Sequence, residues 1–328
     1  MIAKLGIGVV GLGRAFSLTA PALVADPRVR LTAGADARPE MREKFKREFG
    51  LQAYADIDAL LGSPGIDVVY IATPHAAHAA QAIAAAQRGK HVLVEKPMAL
   101  SAQQCAAMIE AARKSGVVLM VGPSHSFDPP ILRARKLIQS FGKVRMISAL
   151  NFTDFAVRRR RDAADTALHN QAPHQVEIVR LLAGCRVVSV KASASAGAYT
   201  CTLGFESGVS AALTYSGYGR FRSDELMGGT GELGKPGVAH PHFGVFIVSC
   251  EKADLRPMPT GVMIYGDGEP RLDALPAPDV PRREVIDELY AAIVEKKPPL
   301  HSGEWAAATM DVCFAMQRSA SEQREILL

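Results

Sequence analysis

The glycines near the start of the sequence have the spacing of a phosphate-binding turn. Gly11-Leu12-Gly13-Arg14-Ala15-Phe16 follows a short apolar run and opens a segment with helical spacing. Glycines at such a turn let the backbone approach a pyrophosphate, which then lies at the helix N-terminus. Phe16 stands where a third glycine is usual, so the match to the dinucleotide fingerprint is partial. We expect a dinucleotide to bind over Gly11, Gly13, Arg14 and Ala15.

Residue 36 favours NAD as that dinucleotide. Asp36 ends the next predicted strand. A carboxylate at this position can accept hydrogen bonds from the ribose hydroxyls and would repel a 2′-phosphate. Arg38 could instead pair with such a phosphate. The sequence therefore predicts NAD binding at Asp36 and Arg38 and leaves NADP as the alternative.

Two polar segments follow the predicted strands 66–72 and 91–94. Ligands of open α/β sheets bind at the carboxyl ends of parallel strands. Beside a cationic nicotinamide, Lys96 would have a lowered pKa, because a second positive charge disfavours its protonated form, so it could accept a proton. We expect Lys96 to be catalytic. The expected cofactor contacts are Thr73, Pro74, His75, His78, Glu95 and Lys96.

A second group of candidates lies on and before the predicted helix 173–182. His174 is in its first turn, where the helix dipole disfavours imidazolium and so favours a neutral, proton-accepting ring. Glu177 lies three residues later on the same face and could orient that ring. His125 is a candidate for substrate binding, and a hinge position is the alternative explanation for it.

Four adjacent arginines, Arg158, Arg159, Arg160 and Arg161, could hold an anionic substrate. Guanidinium groups bind carboxylates bidentately. A solvated surface face is the alternative. His240-Pro241-His242 could place two histidines on one strand face, but no nearby cysteine or acidic residue completes a ligand set, so we expect no metal.

The elements that must position these residues change character along the chain. Strands and helices alternate strictly up to about residue 121, which predicts a parallel, doubly wound sheet with right-handed crossovers. Beyond residue 130, period-two runs separated by short turns predict a mostly antiparallel, open sheet in an α+β domain. We expect an α/β protein with a dinucleotide-binding Rossmann domain at 1–124 and a substrate-binding and oligomerisation domain at 125–328.

Composition excludes several classes of protein. The 328 residues are 48% hydrophobic and 22% charged, as in globular proteins, and no apolar run approaches the roughly 20 residues that span a bilayer. A net charge of +5 is too small to indicate a nucleic-acid partner and is compatible with a small anionic substrate or cofactor. Five widely spaced cysteines without a C-x-x-C pair indicate free thiols and a cytoplasmic protein.

Together, Gly11-x-Gly13, Ala72-Thr73-Pro74 with His78, and Glu95-Lys96-Pro97 resemble the Gfo/Idh/MocA oxidoreductases over essentially the whole chain. This resemblance implies a nicotinamide-dependent dehydrogenase in which a Rossmann domain is paired with an open sheet that carries the substrate site. It also implies a homodimer or homotetramer.

Other segments resemble the branch of that family that oxidises phthalate cis-dihydrodiols to catechols with NAD. The implied substrate is a carboxylated ring diol. The segments that carry this resemblance are Ser124–Asp128, Asn151–Phe155, Gln171–Gln175, Thr214–Tyr218 and Ala253–Pro257.

The chain departs from the family pattern in the substrate domain. The pattern Asp-x-Gly-x-His-x-x-Asp is represented by Asn170, Ala172, His174 and Glu177, which makes Asn170 a further catalytic candidate. A glycine-rich stretch expected between residues 166 and 170 is missing, and the chain is also short between residues 234 and 240. Two alternatives stay open: a sugar or cyclitol dehydrogenase of the same family, and a dinucleotide-binding sensor without catalysis.

Overall fold

The computed structural model describes residues 4–154, 167–219, 221–227 and 239–328. The chain divides into two compact units, of which the first comprises residues 1–123 and 280–310 and the second 124–279 and 311–328. The run Arg158 to Arg161 lies outside the described residues. The sequence assigned dinucleotide binding to residues 1–124, and substrate binding and oligomerisation to residues 125–328. These assignments stay predictions.

The first unit is built around a six-stranded sheet with the order β3-β2-β1-β4-β5-β6, in which every pair is parallel. The strands β1 and β4 are buried along their whole length, as expected for a sheet covered on both faces. The strands are β1 Leu5–Val10, β2 Val29–Ala35, β3 Ala53–Tyr54, β4 Val68–Ile71, β5 His91–Val94 and β6 Leu119–Val121.

Helices connect these strands, and one of them, α5, begins and ends at residues that cap it. Ser101 accepts a hydrogen bond from the backbone of Gln104 at the start of α5, and Gly116 ends that helix in the left-handed conformation. The helices are α1 Arg14–Ala25, α2 Pro39–Phe49, α3 Ile57–Leu61, α4 His75–Gln87 and α5 Ala102–Ser115, with α10 Arg283–Ile293 returning later in the chain.

The second unit contains a nine-stranded sheet with the order β14-β13-β12-β11-β7-β10-β9-β8-β15. Neighbouring strands are antiparallel except for β7 and β10, which run parallel. The strands are β7 Val144–Phe152, β8 Val187–Ala194, β9 Ala198–Phe205, β10 Ser210–Ser216, β11 Val245–Cys250, β12 Asp254–Met258, β13 Gly261–Tyr265, β14 Arg271–Ala274 and β15 Ile326–Leu327. The predicted fold class, a parallel Rossmann sheet plus a mostly antiparallel open sheet, is confirmed.

Helices of this unit cover one face of the sheet and leave the other exposed. The helix α8 is tethered by Gln175, which accepts a hydrogen bond from the Tyr199 hydroxyl and donates to the carbonyl of Thr214. On the opposite face Met146 and Ile247 are exposed. The helices are α6 Pro129–Ile138, α7 Ala167–Asn170, α8 Ala172–Ala183 and α9 Ser223–Leu226, with a 3₁₀ turn at His125–Phe127. The last helix, α11 Gly303–Glu322, contributes residues to both units.

The five cysteines are free, and Cys105, Cys201 and Cys313 are buried. Burial raises the pKa of the Cys201 thiol to about 12, so this group stays protonated. Among the described residues, no helix has the length and apolar character needed to cross a membrane.

Candidate active site

The glycine-rich turn of the first unit needs glycine at residue 11. Its φ is +93°, and a Cβ there would lie 2.4 Å from the carbonyl oxygen of Ala72. The Gly11 amide donates to the carbonyl of Ala35 at 2.8 Å, which fixes the turn against the end of β2. Arg14 and Ala15 open α1 directly after Gly13. The turn therefore leads directly into the N-terminus of α1, and helix N-termini are positions at which phosphates bind.

Asp36 closes this turn from the end of β2. Its carboxylate accepts a hydrogen bond from the amide of Leu12 at 2.9 Å and forms a two-point ion pair with Arg38, with nitrogen–oxygen distances of 3.0 and 2.9 Å. Burial alone would raise the pKa of Asp36, but the hydrogen bonds from Arg38 and Leu12 outweigh it and lower the pKa. Asp36 is thus an ionised group, and Arg38 is already paired with it.

His78 joins the two polar segments that were expected to contact the cofactor. The ring is fully buried, and its two nitrogens each lie 2.9 Å from a backbone carbonyl oxygen, one of Thr73 and one of Pro97. Burial lowers the pKa of this histidine, while the two carbonyls act in the opposite direction. His75 lies one turn before it on α4, with ring centroids 5.6 Å apart. His78 therefore sets the position of both segments.

Glu95 is held by a buried polar network. Its carboxylate accepts a hydrogen bond from the Tyr70 hydroxyl at 2.6 Å, and the Arg282 guanidinium lies 3.8 Å from the same oxygen. Thr19 bonds both Tyr70, at 3.0 Å, and Arg282, at 2.7 Å. The residue that follows Glu95 is Lys96, which is half-buried at the end of β5. The network thus anchors the backbone that carries Lys96.

Three aromatic rings meet in the second unit. The ring centroid of His174 lies 4.9 Å from that of His125 and 4.7 Å from that of Phe243, and the His125–Phe243 distance is 5.1 Å. His174 is in the first turn of α8, as the sequence predicted, and it is 9% exposed. Asp128 accepts from the Nδ1 atom of His125 at 2.7 Å. The cluster therefore holds two imidazoles, one of them paired with a carboxylate.

A second histidine–carboxylate contact lies close to this cluster. The Nε2 atom of His242 is 3.3 Å from an Asp224 oxygen. Burial lowers the pKa of His242; Asp224 opposes that shift, and the charge of His125 adds to it. His242 is accordingly favoured as a neutral ring.

The remaining candidates, Asn170 and Glu177, lie near His174 in sequence and contact their own neighbours. Asn170 accepts a hydrogen bond from the side-chain amide of Gln171 at 2.6 Å. Glu177 is buried and interacts electrostatically with Arg180. Burial lowers the pKa of Arg180, and the negative charge of Glu177 counteracts this. An orienting role of Glu177 toward His174 stays a prediction.

The two histidines of the His240-Pro241-His242 segment have different partners. His240 lies 2.9 Å from the carbonyl oxygen of Pro276, whereas His242 faces Asp224. In the described part of the chain, no group of three histidine, cysteine or acidic side chains is placed to hold a metal ion.

Sequence reasoning missed several residues of these clusters. Asp128 could have been found from the sequence, since it follows His125 by three residues and this spacing allows a histidine–carboxylate contact. Phe243 and Arg282 had none, because each comes from a segment distant in sequence from the residues it contacts. The residues added by the structure are Thr19, Tyr70, Asp128, Asp224, His242, Phe243 and Arg282.

Comparison with known proteins identifies relatives along the whole chain. Residues 5–123 match the GFO_IDH_MocA family model, an oxidoreductase family with an NAD-binding Rossmann fold. The 1-carboxy-3-chloro-3,4-dihydroxycyclohexa-1,5-diene dehydrogenase of Comamonas testosteroni is 40% identical over 94% of this chain and 93% of its own length. That alignment spans 370 positions, more than the 328 residues of this chain, so the relative carries segments that this chain lacks.

Two further proteins extend the comparison. The NAD-dependent scyllo-inositol 2-dehydrogenase of Bacillus subtilis is 31% identical over 56% of this chain and 55% of its own length. A crystal structure from Bordetella bronchiseptica RB50, of a protein assigned as a dehydrogenase, has a TM-score of 0.92 at 32% identity and covers 99% of this chain and all of its own.

Proposed function

The chain belongs to the Gfo/Idh/MocA family of NAD-dependent oxidoreductases, and from that premise we propose that it oxidises a carboxylated, cyclic cis-dihydrodiol to a catechol. The proposal is supported above all by the 40% identity, over nearly the full length of both chains, to a dehydrogenase whose named substrate is a carboxylated dihydroxycyclohexadiene. A phthalate-type diol fits the same chemistry, because it combines a ring diol with carboxylate groups.

The residues of the first unit fit a bound NAD. Gly11 is required for the turn itself, because a Cβ there would clash with the Ala72 backbone, and Gly13 precedes the first turn of α1. Asp36 is ionised and would accept the adenosine ribose hydroxyls, while the same charge would repel a 2′-phosphate. When bound, NAD supplies the acceptor for the hydride. Thr73, Pro74, His75, His78, Glu95 and Arg38 complete the proposed cofactor site, with His78 and Glu95 acting through the segments they hold.

Proton transfer is proposed for two side chains. Lys96 and His174 are the proposed acceptors for the hydroxyl proton, because an amine and an imidazole can each accept a proton and they lie at a strand end and a helix start. Buried Glu177 and the neighbouring Asn170 are proposed to position His174 and the substrate hydroxyls. These groups bind, orient and deprotonate the diol.

The proposed substrate is anionic, and Arg158 to Arg161 are proposed to bind its carboxylate, with His125 lining the substrate site. A charge-assisted guanidinium–carboxylate bond contributes about 1.5–3 kcal/mol, enough to distinguish a charged diol from its uncharged analogue.

A homodimer or homotetramer is proposed through the exposed face of the nine-stranded sheet. Met146 and Ile247 lie on this face and are 44% and 38% exposed. Exposed apolar side chains on a broad sheet are typical of a surface that pairs with its own copy.

A cyclitol dehydrogenase is the second candidate, favoured by the 31% identity to scyllo-inositol 2-dehydrogenase. The deciding experiment follows NAD reduction with three substrates: a carboxylated cis-dihydrodiol, the same diol without its carboxylate, and scyllo-inositol. We expect the highest kcat/KM with the carboxylated diol. Preference for the inositol would refute the dihydrodiol assignment and establish the second candidate.

A further inference from the structure

We propose that His125, held by Asp128, is a second acid–base residue, and that it catalyses the aromatisation of the ketone left when the diol has lost its hydride. The inference rests on the proposed function, since a cis-dihydrodiol with hydrogen on both hydroxylated carbons leaves an intermediate that still has one C–H proton to lose. Lys96 and His174 are assigned to the hydroxyl proton of the oxidation, which leaves the C–H proton of the second step without an assigned base.

The chemistry requires two proton-handling groups. Oxidation removes the hydroxyl proton and the hydride from one ring carbon and leaves a ketone. The neighbouring carbon still carries hydrogen and hydroxyl. In the second step a base takes that C–H proton, the electron pair forms the ring double bond, and the ketone oxygen receives a proton. This step consumes no oxidant and yields the catechol, so one base and one acid suffice.

Asp128 equips His125 to be the base. The Asp128 carboxylate lies 2.7 Å from Nδ1 of His125 and, as an acceptor, keeps the proton on that nitrogen. In the neutral ring Nε2 is then left with its lone pair as the proton-accepting atom. The carboxylate also stabilises the imidazolium that forms when Nε2 takes a proton, as in other histidine–carboxylate pairs. Asp128 is a positioning residue, and His125 is the group that would touch the ring.

His174 is placed to be the acid for the same step. It has received the hydroxyl proton in the proposed oxidation, and its ring centroid is 4.9 Å from that of His125. His174 donates its proton to the ketone oxygen as His125 accepts the proton from carbon. The two imidazole rings are therefore never positively charged at the same time. Phe243 packs against both rings and keeps an apolar surface on one side of the pair.

The two histidines also differ in their access to water. The side chain of His125 is 28% exposed, whereas His174 is 9% exposed as a residue. The proton taken from carbon can therefore leave His125 for solvent. His242 has its own carboxylate partner in Asp224, and burial favours its neutral ring.

The test follows two products in one single-turnover reaction of the full-length enzyme with NAD and a carboxylated cis-dihydrodiol. NADH reports hydride transfer, and the catechol absorbance reports aromatisation. In the wild type both signals should rise together. In His125→Gln and in Asp128→Asn, whatever the rate at which NADH forms, the catechol should lag behind NADH by roughly a hundredfold, the lower end of general acid–base contributions.

A matched control comes from the first unit. Glu288 lies 2.8 Å from Nδ1 of His301, so Glu288→Gln makes the same change at a histidine–carboxylate pair outside the proposed site. Glu288→Gln should show no lag of the catechol signal behind the NADH signal, even if its melting temperature falls.

An isotope experiment checks the second step directly. In His125→Gln, deuterium on the ring carbon that is not oxidised should slow the catechol signal and leave the NADH signal unchanged.

Each other outcome overturns the proposal. If both signals stay together in His125→Gln and Asp128→Asn, aromatisation does not need this pair, and the proposed oxidation stands without it. If both signals slow equally, His125 acts in the oxidation itself. If the wild type reduces no NAD with any carboxylated dihydrodiol, the proposed function fails and this inference fails with it.

Discussion

Removing the Asp36 carboxylate should reverse the preference of the protein for NAD over NADP. In the structure this carboxylate accepts hydrogen bonds from the Leu12 amide, the Arg38 amide and the Arg38 guanidinium. A 2′-phosphate would have to displace that carboxylate from Arg38 and remain beside its negative charge. In Asp36→Ala both obstacles disappear, and Arg38 becomes available to the phosphate.

The expected size of the effect follows from these contacts. NAD loses a ribose hydrogen bond to a charged group, worth about 1.5–3 kcal/mol, or roughly a ten- to hundredfold loss of affinity. NADP loses the repulsion and gains a guanidinium partner, so the ratio of the two dissociation constants should change by about a hundredfold or more. The orphaned, buried Leu12 amide should also lower the unfolding free energy by about 1–3 kcal/mol.

Isothermal titration with each cofactor measures the two dissociation constants, and the chain offers a matched control. Asp26 holds Arg28 through the same three donors, the amide and two guanidinium nitrogens, two residues further along. Asp26→Ala should therefore lower stability by a similar amount and leave the cofactor ratio unchanged. The reasoning is wrong if the wild type prefers NADP, or if Asp26→Ala shifts the ratio as much as Asp36→Ala.

Three further outcomes are expected. Lys96→Ala and His174→Ala should each lower kcat by roughly a hundredfold or more. If both residues serve one proton relay, the decrease of kcat in the double variant should be much smaller than the product of the two single decreases. Single alanine substitutions of Arg158 to Arg161 should raise KM for the carboxylated diol roughly ten- to hundredfold and leave KM for its uncharged analogue unchanged. If the enzyme uses both diols equally well, these arginines form only a solvated surface. Arg282→Met should lower the unfolding free energy in urea by about 1.5–3 kcal/mol, while exposed Arg283→Met should change it by less than about 0.5 kcal/mol.

The local signals in the sequence predicted the fold well because they reflect backbone chemistry. Ser101 and Gly116 bound α5 from both ends, and β7 belongs to the region beyond residue 130 in which the period-two runs predicted strands. Pairing between distant strands has no such signal. The parallel neighbours β7 and β10 are separated by two strands in sequence, and the sequence pattern alone did not reveal that they lie side by side. The two-residue strands β3 and β15 are too short to show a period.

The histidine cluster was only partly predictable for a related reason. The position of His174 in a first turn followed from Pro173 and the apolar pattern after it. A His-x-x-Asp spacing such as that of His125 and Asp128 is also common on solvated surfaces, where it has no chemical consequence. Burial against Phe243 distinguishes the two cases, and that ring comes from a segment more than a hundred residues away.

The Glu95-Lys96 pair shows what the structure adds to a motif. The motif alone suggested that both side chains face a cofactor. The Glu95 carboxylate is instead buried, accepts the Tyr70 hydroxyl and lies near Arg282, a residue that joins the first unit only after the chain has passed through the second. A carboxylate held this way has little freedom to rotate toward a ligand. We infer a division of labour in which Glu95 fixes the backbone and Lys96 does the chemistry. The stability loss expected for Arg282→Met should then be accompanied by a lower kcat with little change in the dissociation constant for NAD.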